Sequence, residues 1–294
     1  MKNASTVAIT EEEKMNDLGR IKKFKVTRTT KLGYMLTDGE KEYFLHRNES
    51  NYRDLQEGDG VEAFIYADKK GRLAATLYLP TATVERVGFG TVADVSAEYG
   101  AFLNIGISKD VLLSADDLPG DLSVWPKQGD RIACILKVRR GRLLAKPATK
   151  KDFLGLAKKT LELGSVQAAF VYRITASGIN LVTPCFNVIF VHRGQLRKEY
   201  RLGEKVEVRI TARNEDDHSG IIHFDRDKQI AADREKIIAY LKNKDGAAAI
   251  NEKTSPLVIR KLFGLSKRAF KTALKSLEEE GIIEIQEDKI ILLI

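Results

Sequence analysis

Over most of the chain, apolar residues recur at every second position in short stretches, each stopped by glycine with an acidic or polar neighbour. That is the pattern of half-buried strands joined by tight turns. The pattern repeats. GRIKKFKVT, GTVADVSAE and GSVQAAFVY open on Gly19, Gly90 and Gly164, while EGDGVEAFI, QGDRIACIL and LGEKVEVRI hold Gly58, Gly129 and Gly203, each 39 residues further on. Equivalent turns at constant spacing mark an internal repeat. Between them lie Gly33, Gly100 and Gly178, in KLGYMLTD, EYGAFLNI and ASGINLVT, and a third strand in YFLHRNE, DVLLSADD and VIFVHRG. Each copy ends in GRLAATLYL, GRLLAKPA or SGIIHF. Glycine inside a strand predicts a bulge or bend that curls a short sheet toward closure. Five short strands in about 60–70 residues, with no helical period, predict a Greek-key barrel of the OB type.

After His223 and Phe224 the period lengthens to that of a helix. DREKIIAYLKNKDG puts Ile237, Ile238 and Leu241 on one face and ends at Gly246. SPLVIRKLFG predicts a second helix capped by Ser255, with Pro256 in its first turn and Gly264 at its end. A third runs from Ser266 to about Glu280, with Phe270, Ala273, Leu274 and Leu277 inward, and the strands IIEI and KIILLI follow. Three helices and a hairpin in that order predict a winged helix.

The expected fold is therefore mainly β with a C-terminal α+β module. Its parts are a disordered tail over 1–15, barrels over 16–80, 81–150 and 151–225, and a winged helix over 226–294. A length of 294 residues suits several cores. With 43% hydrophobic and 31% charged residues, the chain can bury those cores and keep a polar surface.

No apolar run approaches the ~18 residues of a membrane span, and the N-terminus lacks a basic start followed by an apolar core. The expected setting is the cytoplasm. Cys134 and Cys185 lie far apart in apparent strands, which predicts core packing for both. His46, His192, His218 and His223 have no metal-ligand spacing, so neither a metal nor another cofactor is expected. A P-loop, a dinucleotide fingerprint, a nucleophile elbow and a paired-metal acidic cluster are all missing from the sequence, and no enzyme activity is predicted.

Charge adds direction. Forty-nine basic against 41 acidic residues leave +8, which suits a polyanionic partner. Residues 80–160 hold 13 Lys/Arg against 9 Asp/Glu, and residues 161–225 hold 8 of each. The positive field is uneven.

The second copy, with GTVADV, EYGAFLNI, DVLLSADDL and QGDRIACIL, resembles the RNA-binding motif of ribosomal protein S-one, and the other copies resemble it more weakly. From about Asp17 onward, the order of three such barrels and a winged helix resembles the bacterial conserved virulence factor B family. LFGLSKRAFKTALKSLEEEGII is the most specific stretch of that resemblance. The likeness implies RNA binding and an effect on gene expression, with single-stranded RNA as the partner and post-transcriptional regulation as the role.

Barrels of this type bind single strands with a basic groove and exposed rings. The S-one resemblance puts such rings beside the internal glycine, which selects Tyr99 and Phe102, with Ala101 and Leu103 inward. The matching positions are Leu32 and Met35, then Ser177 and Asn180, so the other copies lack the pair. The S-one histidine of the third strand matches His46 and His192, followed by Arg47 and Arg193, with Leu113 at that place in the second copy. Arg139, Arg140 and Arg142 form a basic hairpin that this alignment sets beside Tyr99 and Phe102. Lys22, Lys23 and Lys25 line the first strand of the first copy. A rival reading is a transcription regulator that holds duplex DNA through Lys267, Arg268, Lys271 and Lys275 of the winged helix. A third is a protein-interaction scaffold.

Overall fold

Each set of alternating apolar positions closes on itself. In the computed structural model, which describes residues 16–68, 70–157, 160–196, 198–222 and 226–293, the first barrel is built from β1 (Ile21–Thr29), β2 (Gly33–Thr37), β3 (Glu42–His46), β4 (Gly60–Ala67) and β5 (Leu73–Thr76). They join in the order β1-β2-β3-β5-β4, and β4 pairs back onto β1. The second barrel repeats this with β6 (Gly88–Ser96), β7 (Gly100–Asn104), β8 (Val111–Ser114), β9 (Arg131–Arg139) and β10 (Arg142–Pro147). So does the third, with β11 (Val166–Thr175), β12 (Gly178–Val182), β13 (Val188–His192), β14 (Lys205–Arg213) and β15 (His218–Ile222). The inward positions form the cores, as with Tyr34, Leu36 and Leu45 in the first barrel. The expected tail over 1–15 lies outside the described residues, as do His223 and Phe224.

The repeated glycines have two separate jobs. Gly58, Gly129 and Gly203 each donate their N–H to a first-strand valine carbonyl, of Val26, Val92 and Val171, at 2.9, 2.9 and 2.7 Å. The valine N–H returns the bond to the next residue, Asp59, Asp130 or Glu204. The first strand bulges at that clamp in every copy, between Val26 and Arg28, Val92 and Asp94, and Val171 and Arg173. The bulge is thus on the first strand, not at Gly33, Gly100 and Gly178 as the sequence predicts. Those three are small because the third strand crosses them. A Cβ there would lie 2.1, 2.0 and 2.1 Å from the carbonyl oxygens of Leu45, Leu113 and Val191.

Neighbouring barrels are joined by different means. Between the first and second, Gly19 fits against Val84 and Leu143, and its carbonyl accepts from the Val84 N–H. Between the second and third, an aromatic seam is buried. Phe89 lies 5.4 Å from Phe170 and 5.5 Å from Phe186, and the Arg131 guanidinium sits 4.9 and 5.1 Å over Phe89 and Phe170. The short helix α1 (Lys150–Phe153) adds Phe153 to the seam, its start held by Asp152, which accepts from the Thr149 N–H and hydroxyl. Of the two thiols, Cys134 is buried, and burial pushes it up to about 12. Cys185 is exposed in the turn after β12 rather than packed in a strand.

The chain divides into two compact units after Ile222. The second holds α2 (Arg226–Lys242), β16 (Ala247–Ala248), α3 (Pro256–Phe263), α4 (Lys267–Glu279), β17 (Ile283–Ile285) and β18 (Ile290–Leu292), with the sheet in the order β16-β18-β17. Ser255 and Ser266 cap α3 and α4 by accepting the Val258 and Ala269 N–H groups, and Gly264 ends α3 in the left-handed region. Ile237, Leu241, Ile259, Phe270 and Leu274 meet in the core. The sequence pattern missed β16, whose two alanines carry no strand signal. Among the described residues no helix is long and apolar enough to cross a membrane.

Candidate nucleic-acid interface

The outer face of the second and third strands is where the barrels differ. Register fixes which residues share a row there. In the first barrel Arg28, Met35, Phe44 and Ala74 lie side by side across four strands. In the third the row is Arg173, Asn180, Phe190 and Ser219. In the second it is Asp94, Phe102, Leu112 and Leu144. Each row holds one half-buried ring, but on different strands. The second barrel carries it on its second strand, and the first and third carry it on their third. Phe44 and Phe190 are therefore cross-strand substitutes for the ring expected at Met35 and Asn180. An aromatic two positions before the histidine, in FLH and FVH, was the available signal.

Next along the same face are the histidines. Phe44 and His46 meet edge-on with centroids 6.2 Å apart, and Phe190 and His192 do so at 6.5 Å. His46 Nδ1 accepts from the Asn48 N–H at 3.2 Å, and His192 Nδ1 from the Gly194 N–H at 3.1 Å, each capping a short 3₁₀ turn. With Nδ1 accepting, the proton of the neutral ring sits on Nε2 and leaves an outward N–H donor. The pairings Gly33–His46, Gly100–Ser114 and Gly178–His192 make Ser114, not Leu113, the second barrel's equivalent. Ser114 caps its own turn in the same way, through the Asp116 N–H. Leu113 is wholly buried.

Charge divides the copies further. Arg47 and Arg193 follow the histidines and are exposed, Arg47 with its guanidinium 5.5 Å over the Tyr34 ring and Arg193 3.4 Å from Glu199. The second barrel has Ala115 there, then Asp116 and Asp117, and Asp94 beside Phe102. Tyr99 is exposed in the turn that precedes β7 and Phe102 is half-buried on the outer face of that strand, while Ala101 and Leu103 point inward. Arg139, Arg140 and Arg142 are exposed, yet they are not beside Tyr99. Leu144 is level with Leu112, which sets Arg142 level with Asp110, about 13 Å along the strand from Ser114 and the Tyr99 end. Sequence proximity hid that separation.

Two other basic groups also differ from expectation. Lys22 is not a free cation, because its amine is 2.9 Å from Asp17 and 2.5 Å from Asp38 and only partly exposed. Lys23 and Lys25 are exposed. In the winged helix Lys267 and Arg268 occupy the first turn of α4, but Lys271 lies 3.5 Å from Glu252 and Lys275 3.6 Å from Glu279. The hairpin between β17 and β18 carries Glu287 and Asp288 at its tip.

Comparisons with known proteins agree with this architecture. Residues 18–78 match the family model of the S1 domain, 87–146 that of the CvfB first S1-like domain, and 235–292 that of the CvfB-like winged helix domain. The protein YitL of Bacillus subtilis is 36% identical over 260 residues, 87% of each chain. Conserved virulence factor B of Staphylococcus aureus is 31% identical over 255 residues, 84% of each. A crystal structure from Streptococcus pneumoniae, described as a multidomain protein with nucleic acid binding domains, superposes with a TM-score of 0.60 at 27% identity, covering 95% of this chain and 99% of that one.

Proposed function

The chain belongs to the conserved virulence factor B family, and from that premise we propose that it is a non-catalytic protein that binds single-stranded RNA in the cytoplasm and acts in post-transcriptional gene regulation. One observation carries the reading. The first and third barrels each set an arginine, an outward phenylalanine and a histidine Nε2–H donor on one face, Arg28, Phe44 and His46, then Arg173, Phe190 and His192, and a second exposed arginine, Arg47 or Arg193, opens the turn that follows. Rings stack on unpaired bases, and guanidinium groups pair with phosphates. The second barrel offers Tyr99 and Phe102 but sets Asp94 beside Phe102 and Asp116 and Asp117 in the turn after Ser114, so it ranks behind the other two. Lys25, Arg139, Arg140 and Arg142 supply further positive charge near the strand path.

Duplex DNA on the winged helix is the weaker reading. Lys271 and Lys275 face carboxylates, as Arg28, Arg47 and Arg193 do on the barrels, but α4 offers no outward ring beside its cations and the hairpin tip is acidic. Titrating the full chain with single-stranded RNA, single-stranded DNA and duplex DNA at several salt concentrations tests both. RNA should bind tightest, with affinity falling steeply as salt rises. Absence of binding at low salt, or preference for the duplex, overturns the proposal.

A further inference from the structure

The loop between the third and fourth strands carries one aromatic residue in every barrel. Trp125 is buried in the second, with its indole N–H on the Pro119 carbonyl, and Tyr200 is buried in the third. In the first the residue is Tyr52, and it is 97% exposed. Its backbone is unusual as well. Asn51 and Tyr52 are consecutive left-handed residues, at φ 50° and 61°, a conformation that a bulky side chain disfavours. Bonds on either side hold the turn: the Ser50 hydroxyl donates to the Arg53 carbonyl at 2.8 Å, and the Arg53 N–H to the Ser50 carbonyl at 3.0 Å. The turn leads into Leu55, which is buried in the core, but the Tyr52 ring itself packs against none of it and is handed to water.

Beside this ring is an open cavity of ≈ 490 Å³, within the size range of small-molecule sites. Tyr34, Arg47, Tyr52, Arg53, Asp54 and Tyr78 line it. The Tyr34 hydroxyl donates to Asp54 at 2.9 Å, and the Arg47 guanidinium sits 5.5 Å over the Tyr34 ring. The guanidinium is held between that ring and the Asp54 carboxylate, 4.0 Å from one terminal nitrogen, which leaves its remaining N–H groups for a ligand. Rings for a planar heterocycle and two guanidinium groups for an anion thus converge on one concavity, whereas a protein partner would call for a flatter surface.

We infer that this cavity binds one nucleoside phosphate, with the base against Tyr52 and the phosphate on Arg47 and Arg53. The nucleotide is either an unpaired residue of a bound strand or a free one. The inference rests on the nucleic-acid reading above and adds a site that the strand faces do not contain.

The test compares the full-length protein with Tyr52→Ala, Tyr52→Asn and Tyr52→Phe. Binding of a fluorescein-labelled mixed-sequence RNA 12-mer is read by anisotropy, binding of AMP and UMP by calorimetry, and folding by thermal melting. Asn tolerates the left-handed turn, so Tyr52→Asn removes the ring without strain. Both truncations should weaken the 12-mer by at least about fivefold at unchanged melting temperature, and Tyr52→Phe should bind like the parent. Saturable AMP or UMP binding that the truncations abolish also supports the site and makes its ligand a free nucleotide. If the parent binds the 12-mer and the truncations match it in both assays, the cavity proposal is overturned while strand binding stands. A loss as large for Tyr52→Phe as for Tyr52→Ala overturns it too. A parent that binds neither RNA nor nucleotide overturns this inference together with the proposed function.

Discussion

Arg201 of the third barrel grips Asp130 of the second with two nitrogens, Nε 2.7 Å from Oδ2 and a terminal nitrogen 2.9 Å from Oδ1. Asp130 is almost wholly out of solvent and also accepts the Lys127 N–H at 2.7 Å. A charged acceptor in that position loses more when its partner is removed than an exposed pair would. Arg201→Ala should therefore destabilise the barrel unit by about 2 kcal/mol, read as a lower midpoint in urea. Amide exchange should quicken at the aromatic seam. A midpoint equal to the parent's would show that the seam, with the backbone bonds from Arg131 to Gly203 and from Leu202 to Val124, couples the two barrels without this pair.

The close approach at Gly100 gives a sharper test. A methyl group there would meet the Leu113 carbonyl at 2.0 Å, and that carbonyl belongs to the paired strand and cannot swing away. Gly100→Ala should cost at least about 3 kcal/mol or prevent folding of the second barrel. Gly141→Ala is the control, because a Cβ there meets nothing within 4 Å and only its left-handed turn is strained.

The outer rows rank the barrels. Phe44→Ala combined with Phe190→Ala should weaken single-stranded RNA by about 1–3 kcal/mol per lost stack while the barrels stay folded. Tyr99→Ala combined with Phe102→Ala should cost less, because the carboxylates of Asp94, Asp116 and Asp117 oppose phosphate there. The reverse order of effects, at unchanged melting temperature, would return the second barrel to first place.

Acid should loosen the first barrel in a defined window. Burial alone would raise the Asp17 pKa, but hydrogen bonds from Lys22, Tyr43 and Lys41 outweigh it and hold the carboxyl at about 2, against an ordinary 3.8. Its folded pKa is depressed, so its contribution is present above the unfolded value and disappears as pH falls from about 4 through about 2. The expected size is about 2 kcal/mol. Asp17→Asn should be less stable than the parent at pH 7 and converge with it near pH 2, measured by urea midpoints.

The winged helix should stand alone. Its core of Ile237, Leu241, Ile259, Phe270 and Leu274 draws on its own helices and sheet. A fragment of residues 226–294 should melt cooperatively, and Ser266→Ala should lower its stability by about 1 kcal/mol through loss of the α4 cap. A coil-like circular dichroism spectrum would refute the boundary.

What was legible in the sequence was whatever repeats locally. Glycines 39 residues apart marked equivalent turns, because the clamp on Val26, Val92 and Val171 needs a residue with a free N–H in a positive-φ turn at the same place in every copy. Serine and glycine marked the ends of α3 because capping is decided within a few residues. Cross-strand facts were hidden. Gly100 reads as a bulge because its sequence neighbours do not include Leu113, and Phe44 and Phe190 stand out only against row mates that lie on other strands. Lys22 looked like a free surface cation because Asp17 and Asp38 come near it only after the barrel closes.

The clamp has a consequence for how the surfaces can vary. It consists of main-chain N–H and carbonyl groups, and closure at the crossing needs only a missing side chain, so neither depends on which residues occupy the outer row. Shell and surface are separable. Transplanting arginine, phenylalanine and histidine onto positions 94, 112 and 114 should leave the second barrel closed while giving it the face of its neighbours. The same independence lets a tandem array drift, one copy at a time, into barrels that share a skeleton and no longer share a ligand.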